Sequence, residues 1–133
     1  MTYLLDTNVC IALLKGRPSQ LEEKVRSVKT NQAVIPAVVR YELHYGARKS
    51  NQPKRTLAKL GSFLGAFPTL PFDDHCAEIC GRIRATLERA GTPIGPYDLM
   101  IAALALQNDL ILVTRNVREF QRVQEIRVEN WED

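Results

Sequence analysis

The run Thr2-Tyr3-Leu4-Leu5-Asp6-Thr7-Asn8 decides the fold. Its first four residues are apolar enough for a short buried strand, and Asp6, Thr7 and Asn8 then offer three successive N-caps for a helix over Val9 to Lys15. A strand that enters a helix through a carboxylate is the opening unit of an α/β chain. Working outward, Pro18-Ser19-Gln20-Leu21-Glu22-Glu23 opens a second helix, and Ala33-Val34-Ile35-Pro36 reads as a second short strand. Helical spacing returns over Val38 to Arg48, and Asn51 to Leu64 suits a further helix.

Downstream, Cys76, Ile79, Cys80, Ile83, Leu87 and Ala90 recur in steps of three and four, which predicts a helix with one buried face that stops at Gly91. The rigid loop Thr92-Pro93-Ile94-Gly95-Pro96 follows. Tyr97-Asp98 then leads into Leu99 to Leu106, a run apolar on every side that belongs in the middle of a core. Leu110 to Val113 is a β-branched strand, Arg118 to Arg122 a short helical turn, and Ile126-Arg127-Val128 a last strand. Short apolar strands alternating with helices predict a mostly parallel sheet covered on both faces. No repeat period of about 20–50 residues and no long linker interrupts the pattern, so one domain is expected over residues 1–133.

The composition, 45% hydrophobic and 25% charged, is that of a folded globular chain and excludes disordered and collagen-like classes. No stretch approaches the ~20 apolar residues that span a bilayer, and Met1 to Asp6 lacks the basic start of an export leader. Three cysteines, Cys10, Cys76 and Cys80, are too few and too odd for a disulfide framework, which points to a reducing compartment and a cytoplasmic location. The net charge of +3 is unevenly spread. Arg40, Arg48, Lys49, Lys54, Arg55 and Lys59 surround a single acid, Glu42, whereas the tail sets Glu125, Glu129, Glu132 and Asp133 against Arg127. Such a basic segment suits either a solvated helix face or a track for nucleic acid.

Ligands of open α/β sheets bind at the carboxyl ends of the strands. Asp6 stands at such an end, and Asp98 caps or opens the all-apolar helix at a similar edge. Glu42 shares a helix side with Val38 and with Tyr45 or Gly46. Should all three acids face one crevice, burial and mutual repulsion disfavour their charged forms unless a cation is present. Oxygen-only ligands suit the hard ions Mg²⁺ and Mn²⁺. His44 and His75 lack ligand spacing, and Cys76 and Cys80 lack a second pair, so zinc is disfavoured. Glycine-rich phosphate loops and a serine nucleophile elbow are missing from the chain.

Four segments resemble the PIN-domain ribonucleases and, within them, the VapC toxins of bacterial toxin–antitoxin pairs. They are Leu4-Leu5-Asp6-Thr7-Asn8, Tyr41-Glu42-Leu43-x-Tyr45-Gly46-Ala47, Pro96-Tyr97-Asp98-Leu99-Met100-Ile101-Ala102-Ala103 and Val113-Thr114-Arg115-Asn116-x-Arg118-Glu119-Phe120. Each is weak alone, but they stand in family order across nearly the whole chain. The resemblance implies an α/β/α sandwich whose acidic pocket binds Mg²⁺, with Mn²⁺ as a substitute, and cleaves single-stranded or looped RNA to a 3′-hydroxyl and a 5′-phosphate. Asp6, Glu42 and Asp98 match the family's metal-site acids. Many PIN domains have an aspartate where this chain has Asn116, and Glu119 one turn later is the alternative fourth acid.

On the same resemblance, Thr7, Asn8, Thr114 and Asn116 hold the acids or their waters, and Arg115 and Arg118 meet the RNA backbone. Lys54 and Arg55 extend that contact. The family further implies a homodimer, a VapB-type antitoxin, operator DNA bound only through the antitoxin, and initiator tRNA as the target of this branch. Other readings of single residues are plainer: helix caps for Asp6 and Asp98, surface positions for the histidines, buried hydrophobes for the cysteines, and packing of the C-terminus by Trp131. Leu57, Leu60, Phe63, Leu64 and Phe67 form core, with a possible apolar groove for an antitoxin helix. Two other functions compete. A metal-free nucleic-acid-binding module is favoured by Asn116 alone, and a small-substrate phosphatase requires a closed pocket without a basic surface.

Overall fold

Successive strand residues point to opposite faces of a sheet. The complete burial of both Leu4 and Leu5, of both Ala33 and Val34, and of both Leu112 and Val113 therefore means that the sheet is covered on both sides. A computed structural model describes residues 2–132, so Met1 and the tail acid Asp133 lie outside the described residues. The chain runs β1 (Tyr3–Leu5), α1 (Thr7–Leu14), α2 (Gln20–Ser27), a 3-10 turn (Thr30–Gln32), β2 (Ala33–Val34) and α3 (Ala37–Arg48). It continues through α4 (Pro53–Leu64), α5 (Asp74–Arg89), α6 (Pro96–Gln107), β3 (Ile111–Val113), α7 (Val117–Phe120) and β4 (Arg127–Glu129). The strand order is β2-β1-β3-β4 and every pairing is parallel, giving the α/β/α arrangement that the alternating pattern predicts.

Local chemistry sets the helix ends. The Asp73 side chain accepts from the Cys76 N–H at 2.9 Å to start α5. At its other end Gly91 takes a φ of +75°, its N–H donates to Glu88 O at 3.1 Å, and the Thr92 N–H donates to Leu87 O at 2.9 Å. That is a Schellman cap, and Ala90, which keeps helical backbone angles just before it, is exposed where the spacing predicts burial. In α6 the side chains of Leu99, Ile101, Ala102, Ala103, Leu104 and Ala105 are all buried, as a helix without a polar face requires. Trp131 closes the C-terminus onto the sheet, edge-on to Tyr3 with ring centroids 4.8 Å apart.

Arg40 does not belong to the solvated basic segment. Its Nε donates to Ile35 O at 2.9 Å, and its Nη2 donates to Phe67 O at 2.9 Å and to Leu64 O at 3.3 Å. Leu64 is the last residue of α4, where helical carbonyls lack intrahelical partners. The guanidinium thus ties the end of α4 to the strand leaving the sheet at Ile35. Arg40→Met, which keeps the aliphatic stem but strands these acceptors, is expected to lower stability by about 2 kcal/mol in urea unfolding. An unchanged midpoint would remove the tie.

Candidate active site

From β1 the chain crosses to β2 on one side, and from β3 it crosses to β4 on the other, so the crevice between β1 and β3 is the topological switch point. Asp6 and Thr114 are the first residues beyond these two strands. The Asp6 N–H donates to Val113 O at 3.2 Å, and the Thr114 N–H donates to Glu129 O at 3.0 Å, which fixes both at the crevice floor. Asp6 also caps α1, its Oδ1 accepting from the Val9 N–H at 2.9 Å, and its carboxylate accepts from the Thr114 side chain. The cap reading and the site reading of Asp6 therefore hold together. With 4% of its surface exposed, burial raises its pKa, against the pull of the Thr114 and Val9 hydrogen bonds.

Glu42 arrives from α3, half-buried, and accepts at Oε1 from Thr7 Oγ1 at 2.7 Å. Asp98 occupies the first turn of α6. Its pKa is pushed up to about 7, first by burial, then by the charge of Glu119 and a hydrogen bond to it, and further by the charges of Asp6 and Glu42. Glu119 belongs to α7, and the Asn116 amide Nδ2 donates to its Oε2 at 3.2 Å. The Asn116 N–H in turn donates to Thr114 Oγ1 at 2.9 Å. Asp6, Thr7, Asn8, Glu42, Tyr97 and Asp98 line one cavity of about 270 Å³, and Glu119 and Thr114 join it through Asp98 and Asp6.

Four carboxylates from four elements thus meet in one electrostatic unit. Among the described residues no group of three or more His, Cys, Asp or Glu side chains is already disposed to ligate one ion. The donor set still fits a hard cation. It is all oxygen, it lacks the charge balance it needs, and the cavity has room for the waters that Mg²⁺ keeps when only one or two carboxylates bind it directly.

The basic residues distribute differently from expectation. Arg115 is exposed beside the cavity, 3.7 Å from Glu132, and Arg118 is exposed on α7. Lys54 is exposed on the first turn of α4. Arg55 and Lys59 instead border a second cavity of about 560 Å³ between α1, α3 and α4, with Ile11, Leu14, Leu43 and Leu60 as its apolar floor and Glu42 at its edge. Of the stripe expected to shape an apolar groove, only Leu60 reaches this cavity. Leu57, Phe63, Leu64 and Phe67 pack into or against the core. His44 and His75 are exposed, and the cysteines are free, with Cys10 and Cys76 buried.

Two contributors escape a reading by acid spacing. Tyr97 lines the cavity and shares a 2.9 Å hydrogen bond with Tyr41, both adjacent in sequence to a site acid. Glu132, from the acidic tail, is close enough for its charge to raise the Asp6 pKa. Nothing in the local pattern around Glu132 signals that position.

This fold and site define a PIN-type acidic pocket, and residues 3–126 match the family model described as "PIN domain". The chain is 42% identical over 131 residues to the "tRNA(fMet)-specific endonuclease VapC" of Salmonella typhimurium, covering 98% of both chains. It is 35% identical to "Ribonuclease VapC2" of Rickettsia felis, covering 99% of both. Its structure superposes on a chain of "Crystal structure of DNA bound VapBC from Salmonella typhimurium" with a TM-score of 0.93, at 42% identity and 98% coverage of each chain. The chain belongs to the PIN-domain family, in its VapC ribonuclease branch. No helix among the described residues is long and apolar enough to cross a membrane.

Asp98 generates a stability prediction. Because its folded pKa is about 7 against 3.8 for the ordinary carboxyl, the folded chain keeps a proton that the unfolded chain has released. The stabilisation is full below the lower value and is lost as pH rises through the interval. In chelator, the urea midpoint is expected to fall between pH 5 and pH 8, and Asp98→Asn to flatten that slope. An identical slope in the variant would detach Asp98 from it.

Proposed function

We propose that this chain is a cytoplasmic, divalent-metal-dependent endoribonuclease, the toxin of a toxin–antitoxin pair, which cuts initiator tRNA and is held inactive by a VapB-type antitoxin. The observation that carries the reading is the convergence of Asp6, Glu42, Asp98 and Glu119 at the switch point, where the other three each act on Asp98. The substrate is proposed from the tRNA(fMet)-specific relatives, and the antitoxin from the VapBC complexes among the structural neighbours. Operator DNA is met through the antitoxin, and the toxin itself works as a homodimer with one PIN domain per chain.

In this reading Asp6, Glu42 and Asp98 hold Mg²⁺ or Mn²⁺, and Glu119 completes the negative field from behind Asp98. The cation supplies Lewis-acid polarisation of the phosphodiester and activation of water. Thr7 holds the Glu42 carboxylate through its hydroxyl, and Thr114 does the same for Asp6, so neither acid swings out of the cavity. Asn8 faces the cavity as a polar wall, and Asn116 orients Glu119. Arg115 and Arg118 take phosphates on one flank, and Lys54 and Arg55 take the backbone further out.

Asp6→Asn is expected to reduce cleavage to background with the fold intact, and to abolish Mg²⁺ binding by titration calorimetry. Glu119→Gln is expected to cost about 10- to 100-fold in metal affinity or rate, as for a group that supports ligands. Wild-type cleavage in Asp6→Asn ends the mechanism, and a larger loss in Glu119→Gln moves that residue onto the cation. End-mapping of cellular RNA after induction, beside Asp6→Asn, reads the substrate. Cuts scattered across messenger RNA would overturn the initiator tRNA assignment.

A further inference from the structure

Among the described residues, four large apolar side chains are exposed: Ile11, Tyr41, Tyr45 and Tyr97. Ile11 lies in the groove between α1, α3 and α4. The three tyrosines form one cluster. Tyr97 lines the acid cavity, and its hydroxyl shares the 2.9 Å hydrogen bond with Tyr41. Their rings meet edge to face at a centroid distance of 5.5 Å and an interplanar angle of 72°, so each holds the other upright. Tyr45 follows Tyr41 one helical turn later on the same face of α3, and Lys49 follows Tyr45 by the same step. The Lys49 Nζ lies 5.1 Å from the centre of the Tyr45 ring. With 54% and 58% exposure, Tyr41 and Tyr45 leave most of their ring surface open.

We propose that Tyr97, Tyr41 and Tyr45, ending at Lys49, form a base-stacking track along the outer face of α3 that leads single-stranded RNA into the acid cavity. The proposal rests on the endoribonuclease reading and adds the route by which substrate arrives. One end of the row is a wall of the cavity itself, so whatever lies on the row is continuous with the reacting strand. Aromatic faces accept any base, and a cation at the far end meets the phosphate between bases. A strand bound here is read by stacking, which favours unpaired loops over duplex.

The test measures binding of fluorescein-labelled oligoadenylate by anisotropy, in chelator so that cleavage does not enter, beside an abasic oligomer of equal length. Tyr41→Ala and Tyr45→Ala are each expected to weaken oligoadenylate binding about tenfold and to leave the abasic oligomer unaffected. Tyr41→Phe and Tyr45→Phe should bind as the wild type does, because they keep the stacking face. Lys49→Ala should instead reduce the salt slope by about one for both oligomers. Unchanged affinity in the alanine variants, or equal losses for the abasic oligomer, overturns the track. So does a change from dimer to monomer in sedimentation on Tyr41→Ala, which assigns the face to a second copy. Tyrosine-dependent binding by a wild-type chain that cuts no RNA keeps the track and removes the endonuclease reading, whereas cutting with tyrosine-independent binding does the reverse.

Discussion

Repulsion among carboxylates in a cleft with little water is the constraint around which this molecule is organised. Parallel strands buried on both faces must be joined by crossovers, and where those crossovers diverge the sheet leaves a crevice at its carboxyl edge. Here it opens between β1 and β3, and the chain sets Asp6 at its floor. Asp98 from α6, Glu42 from α3 and Glu119 from α7 approach from the walls. Each acid disfavours ionisation of Asp98, and burial adds the largest share. A purely structural cleft gains nothing from such an arrangement, since apolar residues of similar size fill it at lower cost.

What keeps the acids in place is a set of neutral donors. Thr7 holds Glu42, and Thr114 and the Val9 N–H hold Asp6. Asn116 holds Glu119 and is itself anchored on Thr114. A hydroxyl or amide can orient a carboxylate without neutralising it, which an arginine or lysine would do. Arg115 acts on the site from its margin, its charge lowering the Asp6 pKa, while other cations of this chain are held elsewhere. Arg40 is drawn into carbonyls at the end of α4, Arg115 leans toward Glu132, and Arg55 and Lys59 border the groove. Glu42 lines both the acid cavity and that groove, so an occupant of the groove lies one side chain from the site.

Much of this was legible because short, continuously apolar strands alternate with helices along the chain. Continuous burial along Leu4-Leu5 and Leu112-Val113 and the fully apolar α6 announce a parallel sheet with a central helix, and the carboxylates just outside those elements then have one place to go. The displaced features share a cause. Arg40 and Lys59 read alike in one dimension, but Arg40 faces the chain end that α4 brings back to it, a contact set by helix packing and not by neighbours in sequence. The stripe of Leu57, Phe63 and Leu64 points inward, whereas the groove takes its wall from α1 through Ile11 and Leu14, residues distant along the chain. Ala90 follows the helical spacing yet lies exposed at the last position before Gly91 ends the helix, beyond the packed part of that face.

Between Asn116 and Glu119 as the fourth position of the proposed site, charge and reach favour Glu119. The Asn116 amide already donates to Glu119, and Glu119 is the group whose charge and hydrogen bond act on Asp98. An aspartate at Asn116 would face Glu119 with a like charge in place of a donor, within a cluster where Glu132 already adds to the field on Asp6. The amide therefore does more than stand in for an absent acid. It lets α7 carry the negative charge one turn later while the backbone at Asn116 stays tied to Thr114. Neutral support at Asn116 and charge at Glu119 are thus joined through one hydrogen bond, and in the proposed site the pair takes the place of an acid directly after β3.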